Sequence, residues 1–140
     1  MVRSAPHGQG VAKLGFASGQ VVMELGYDDD VDDDLREAIE NLIDGDLEDD
    51  DFEDVVDAVL LWWRDGDGDL TDTLVDAVGA LGPTGFIVLL SPKVGTEGEV
   101  DPIDVAEAAE TAGLNASVST NLTPAWSATR LVAPKLTGKR

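Results

Sequence analysis

Two uninterrupted apolar runs constrain this chain more than any other feature. Residues 58–63 read AVLLWW and residues 86–90 read FIVLL. Neither run alternates with polar residues. A strand with one wet face alternates, whereas a run without alternation fits a strand buried on both faces of a parallel sheet. The segment between them supports that reading. The turn DGDGD at 65–69 comes first, then Leu70, Leu74, Ala77, Val78 and Leu81 recur at helical spacing until Gly82-Pro83 stops them. Strand, helix, strand is the crossover unit that parallel pairing requires.

The flanking segments extend the pattern. Residues 20–25 (QVVMEL) read as a first strand, ended by Gly26. Leu35, Ala38, Ile39, Leu42 and Ile43 form an apolar helical stripe. Asp34 with Glu37 resembles a capping box, and Gly45 suits the position after the helix. Residues 46–54 read as a loop with room for a short strand. Asp101 and Pro102 open a third helix with the stripe Val105, Ala108, Ala109 and Ala112, closed by Gly113. Residues 116–122 and 127–133 read as two last strands, joined around Thr123-Pro124 as an antiparallel pair. The expected fold class is α/β: a mostly parallel sheet, helices on both faces, and a C-terminal antiparallel hairpin. The expected organisation is a flexible leader at 1–10, one domain at 11–135 and a tail at 136–140.

Charge excludes several functions. The 140 residues carry 29 Asp and Glu against 9 Lys and Arg, a formal net charge of −20. That argues against binding nucleic acid directly, which needs cationic contacts to phosphate, and against docking on an anionic membrane surface. No cysteine is present, so disulfides, thiolate catalysis and cysteine-ligated metals are excluded. The one histidine, His7, sits in the leader. No apolar stretch is long enough for a signal peptide or a membrane span, so a cytoplasmic protein is expected. The charge is also uneven. Residues 24–76 hold 23 of the 29 acids and only two bases, Arg36 and Arg64, while the remainder is nearly neutral.

Two acidic patterns invite chemistry. Asp65, Asp67 and Asp69 fall at the first, third and fifth positions of a calcium-loop pattern, with Asp76 at the twelfth. Leu70 stands where that pattern needs glycine, and Asp69 suits a helix N-cap equally well. Asp28–Asp34 and Asp46–Asp54 are carboxylate runs that serve either as a cation cluster or as a solvated face. No Gly-x-Ser-x-Gly or Ser-x-x-Lys pattern accompanies them. Trp62 and Trp63 are adjacent, so on a strand they point to opposite faces.

The segments VVDAVLLWW, GPTGFIVLLSPK and WSATRLVAPK, with helices between them, resemble the second half of a class I, Rossmann-like methyltransferase fold. The resemblance implies a last strand tucked antiparallel into the sheet, and so a truncated Rossmann-like fold. It also implies S-adenosylmethionine held on a glycine-rich turn after the first strand. Here VMELGYDDD offers Gly26 alone, followed by carboxylates, and too little chain precedes AVLLWW for the second strand–helix–strand unit with its ribose-binding acid. The expectation is therefore no cofactor and no enzymatic activity. More closely, LGFASGQVVMELGYDDDVDDDLREAIE, DAVLLWWRDGDGDLTDTLVDA, LLSPKVG and WSATRLVAPK resemble a family of small acidic proteins of high-GC Gram-positive bacteria, known as a domain of unknown function.

The functional expectation is a regulatory or scaffold protein whose acidic surface binds a basic protein partner. The residues expected to meet the partner are Asp49, Asp50, Asp51 and Asp54, with Tyr27, Phe52 and Trp63 as aromatic anchors beside the acid runs. The alternative is a small-molecule or divalent-cation binding module at the C-terminal edge of the sheet, with Asp65, Asp67 and Asp69 as metal candidates.

Overall fold

The computed structural model describes residues 13–133 except 94, 97, 122 and 124. The leader at 1–10 with His7, and the tail at 136–140, lie outside the described residues. The elements are β1 (Val22–Leu25), α1 (Asp33–Ile43), β2 (Val56–Trp62), α2 (Leu70–Ala80), β3 (Leu81–Pro92), α3 (Pro102–Thr111), β4 (Asn115–Asn121) and β5 (Trp126–Val132). The sheet order is β1-β2-β3-β5-β4. β1, β2 and β3 run parallel, and β5 is antiparallel to both β3 and β4. The last strand therefore sits inside the sheet, leaving β1 and β4 at the edges. No described helix is long and apolar enough to cross a membrane.

The absence of alternation in β2 and β3 has a direct cause. Ala58, Leu60 and Trp62, with Phe86, Val88 and Leu90, face α1 through Leu35, Ile39 and Ile43. Val59, Leu61 and Trp63, with Ile87 and Leu89, face α2 and α3 through Leu70, Leu74, Ala77, Val105, Ala108 and Ala109. The residues of the two apolar runs are thus buried whichever way they point. Trp62 and Trp63 lie on opposite faces, and Trp62 meets Trp126 of β5 edge to face at 4.9 Å.

Helix ends depart from the sequence reading in two places. The N-cap of α1 is Asp32, whose carboxylate accepts from the Leu35 amide at 2.9 Å; Asp33 and Asp34 fall inside the first turn. In a run of aspartates each residue is a competent cap, and the earlier one lengthens the helix while placing two carboxylates at its positive end. At the other end Asp44, not Gly45, takes the left-handed conformation at φ 59°. Aspartate visits this region more readily than most residues. Asp69 and Asp101 cap α2 and α3 as expected. Gly82-Pro83 ends α2 but does not delay the next strand: β3 begins at Leu81, which pairs with Val56.

Residues 46–54 contain one rung of sheet. Glu48 bridges to Met23, donating to the Val22 carbonyl and accepting from the Glu24 amide, each at 2.8 Å. The acidic loop thereby covers part of the outer edge of β1.

Candidate functional site at the C-terminal edge of the sheet

β1 carries one acid into the core. Glu24 is 7% exposed, and a carboxylate so placed must be paired and hydrogen-bonded. Arg36, one turn into α1, donates from Nε at 2.7 Å and from Nη2 at 2.9 Å; the Trp62 indole donates at 2.9 Å. The bidentate pairing uses the planar fork that only arginine offers. It holds the Arg36 guanidinium charged, with its pKa raised chiefly by the hydrogen bond to Glu24. The same guanidinium lies over the Tyr27 ring at 4.9 Å.

Arg64, just past β2, is the second hub. Nε donates to Asp30 at 2.9 Å, and Nη2 donates to the other oxygen of that carboxylate. Nη1 donates to the Gly26 carbonyl at 2.9 Å and to Asp67 at 3.3 Å. The guanidinium also sits 5.4 Å from the centre of the Trp126 ring. One side chain thus ties together the end of β1, the approach to α1, the β2–α2 turn and the start of β5. Its pKa is raised, and that of Asp30 lowered, in each case chiefly by their mutual hydrogen bonds. Gly26 adopts φ 79°, and a Cβ there would lie 2.2 Å from the Trp62 carbonyl oxygen. The end of β1 therefore packs directly on β2, and only glycine permits it.

Beside these hubs lies a cleft of about 410 Å³, lined by Glu24, Gly26, Tyr27, Arg36, Asp49 and Asp50. Its floor is the compensated Glu24–Arg36 pair. Its rim carries Tyr27, 57% exposed, and two exposed carboxylates. Asp49, Asp50 and Asp51 form a tight group, with ligand oxygens within 4.8 Å of one another. The Asp51 amide donates to the Asp49 side chain at 3.0 Å, which turns the loop and gathers the charges.

The remaining expected residues are distributed differently. Asp54 is exposed. Phe52 is half-buried and packs against the core on the α2–α3 face. Trp63, expected as an aromatic anchor, is 7% exposed and belongs to that same core. It is the next residue after β2 and continues the alternation that buries both sides of the sheet. Of the three aromatics, Tyr27 is the one presented to solvent.

Two of the cation candidates Asp65, Asp67 and Asp69 have structural roles in the turn. Asp69 caps α2 by accepting from the Asp72 amide at 3.1 Å, and Asp67 accepts from the Arg64 amide and guanidinium. Helix capping and turn closure occupy Asp69 and Asp67, and the three carboxylates do not form a tight group of the kind that Asp49, Asp50 and Asp51 form. Sequence reasoning also missed both arginine hubs. The available signal was that Arg36 and Arg64 are the only bases within 53 acid-rich residues, and that Glu24 is an acid inside an apolar strand.

Residues 11–135 match the family described as a protein of unknown function, DUF3052. The chain belongs to this family. An uncharacterized protein of Mycobacterium tuberculosis (strain H37Rv) is 52% identical over 141 residues, covering 99% of this chain and 89% of the relative, and one from Mycobacterium bovis matches equally. Solved structures similar to this DUF3052 chain include methyltransferases. The O-methyltransferase NcsB1 of neocarzinostatin biosynthesis aligns with TM-score 0.65 at 17% identity, covering 90% of this chain and 53% of that one. A methyltransferase from Pyrococcus furiosus aligns with TM-score 0.55 at 12% identity, covering 94% and 84%. At such identities the likeness is one of fold. The DUF3052 chain spans about half the length of the O-methyltransferases it resembles.

Proposed function

We propose that this DUF3052 protein is a non-catalytic, cytoplasmic, acidic binding module that captures a basic protein partner as a regulator or scaffold. The observation that carries the reading is the cleft at the end of β1. It sets exposed Tyr27 beside Asp49 and Asp50 over a floor whose own charges are already paired. A lysine or arginine side chain entering it meets carboxylates on the rim and an aromatic ring, the two features that attract and hold a cation. Asp51 and Asp54 extend the field outside the cleft, and such a field raises the association rate of an oppositely charged partner.

The methyltransferase likeness raises a competing reading, and the residues at the crevice argue against it. Similar structures include one with S-adenosylmethionine bound. That cofactor needs a glycine-rich turn with room beside its backbone. In this chain Gly26 stands alone and abuts the Trp62 carbonyl, Arg64 occupies the gap between the ends of β1 and β2, and Asp28, Asp29 and Asp30 line the approach to α1. The cofactor's own carboxylate would face these acids. The residues do not fit the group, and no methyl transfer is derived from them.

The test is affinity capture from cell extract at low and high salt. It compares the native chain with a variant carrying Asp49→Asn, Asp50→Asn, Asp51→Asn and Asp54→Asn. The variant should melt cooperatively and lose the basic proteins that the native chain captures at low salt. An unchanged set of captured proteins with unchanged salt dependence would mean that the loop is only a solvated face.

A further inference from the structure

The α2–α3 face holds a second cavity, away from the acidic cleft. It measures about 280 Å³ and lies between α3 and the β5–β4 end of the sheet. Its walls are Ala106 and Ala109 of α3, Ala116 of β4, Ser91 of β3, and Ser127 and Thr129 of β5, with Val105 and Leu131 deeper in the core. Close packing is the rule in protein interiors, and voids of more than one water are few. Liquid water would share this volume among about nine molecules. The cavity exists because small residues stand where larger ones would fill it, and these come from four separate elements. Elsewhere on the same face the core is filled by larger side chains such as Leu61, Leu74, Ile87 and Leu89.

The chemistry of the walls selects a ligand class. Among the described residues, none lining the cavity is charged, in a chain whose net charge is −20. An anion would find no cation there, and a cation would find no carboxylate. Aliphatic carbons make most of the surface, and three hydroxyl-bearing residues stand on the sheet side. Mainly apolar lining with a few polar groups is the usual composition of small-molecule sites, and this cavity is near the lower end of their size range. The apolar surface continues past the mouth: Ile103, next to Pro102 of the wall, is 65% exposed.

We propose that this cavity is a binding site for a compact, uncharged, mainly apolar molecule of one or two rings. The site is independent of the acidic cleft, since it shares no residue with it and lies on the opposite face of the sheet.

The test uses 1-aminonaphthalene, which is neutral at pH 7 and brightens in apolar surroundings, titrated into the full chain. Its anionic counterpart 1-naphthoate is the control. Saturable binding at one site per chain is expected, with 1-naphthoate weaker by about tenfold or more, because burying an unpaired carboxylate is costly. Ala106→Phe should fill the mouth and weaken the neutral probe by about tenfold or more, since it removes the volume that the ring occupies. Ala106 is exposed at its helix position, so the variant should melt as the native chain does. If it does not fold, Ser127→Leu, which fills the cavity from the sheet side, decides the matter. Non-saturable binding, equal affinity for 1-naphthoate, or binding untouched by a folded filling variant would overturn the proposal.

Discussion

The two ends of this sheet are built by different means. Each ends in an edge strand, β1 at one side and β4 at the other. The β1 end is held largely by charged groups. A single rung from Glu48 covers the strand, carboxylates surround it, and two arginines, each with several partners, tie the loops to the strand ends. At the β4–β5 end the described packing is apolar, with α3 laid over the sheet through Val105, Ala108 and Ala109 and an uncharged cavity left between. The contrast shows how an α/β scaffold can carry an intense local charge. The charge lies on exposed loops and helix starts beside a buried core, and Arg36 and Arg64 are used at the junctions.

Trp62 joins the two ends, and removing it should have the largest effect. It is fully buried, meets Trp126 of β5 edge to face and donates to Glu24 of β1. Trp62→Ala should cost about 3–5 kcal/mol in chemical denaturation, the range for deleting a large core aromatic. A much smaller loss would mean that the ends are stabilised independently. Glu24→Ala acts on the acidic end alone. It strands Arg36 and the Trp62 indole, and should cost about 2 kcal/mol, because buried partners of a lost charge are left unsatisfied. Equal stability of this variant would show that the Glu24–Arg36 pair is dispensable.

The extent to which these arrangements were legible in the sequence follows the same division. The core was readable because burial leaves a pattern: Ala58–Trp63 and Phe86–Leu90 declared strands enclosed on both faces, and Leu35, Ile39 and Ile43 declared the inner face of α1. Caps were readable where one candidate existed, at Asp69 and Asp101, and not in the run 28–34, where several aspartates compete and local chemistry is degenerate. Within the candidate site, Tyr27 and Asp49 and Asp50 were singled out from composition and do line one cleft. The hubs on Arg36 and Arg64 were not, because an ion pair across 12 or 34 residues is set by tertiary placement and leaves no periodicity. Trp63 was misplaced for a related reason: nearness to acids in the chain says nothing about which face a side chain takes.

Asp30 sharpens the comparison at smaller scale. Its pKa is lowered by Arg64, so its contribution to stability is present above the unfolded-state value and lost as pH falls through the folded one. The carboxylate is half-exposed, so solvent screens the pair, and Asp30→Asn should cost only about 0.5 kcal/mol near neutral pH. Thermal melts of the two proteins should converge as pH drops below about 4, where free aspartate protonates. A gap that persists at low pH would contradict the pairing. A further effect concerns the field as a whole. The melting temperature should rise by a few degrees with NaCl as the Debye length shrinks to about 10 Å near 0.1 M, since residues 24–76 repel one another. A melting temperature flat in salt would show that the carboxylates are spaced widely enough not to interact.

The most direct test of the acidic end is a calorimetric titration of the full chain with S-adenosylmethionine. If the crevice between β1 and β2 is filled by Arg64 and by the contact of Gly26 with Trp62, no binding heat appears up to millimolar ligand. Saturable binding at micromolar concentration would contradict the closed crevice and return the protein to the methyltransferases whose fold it shares.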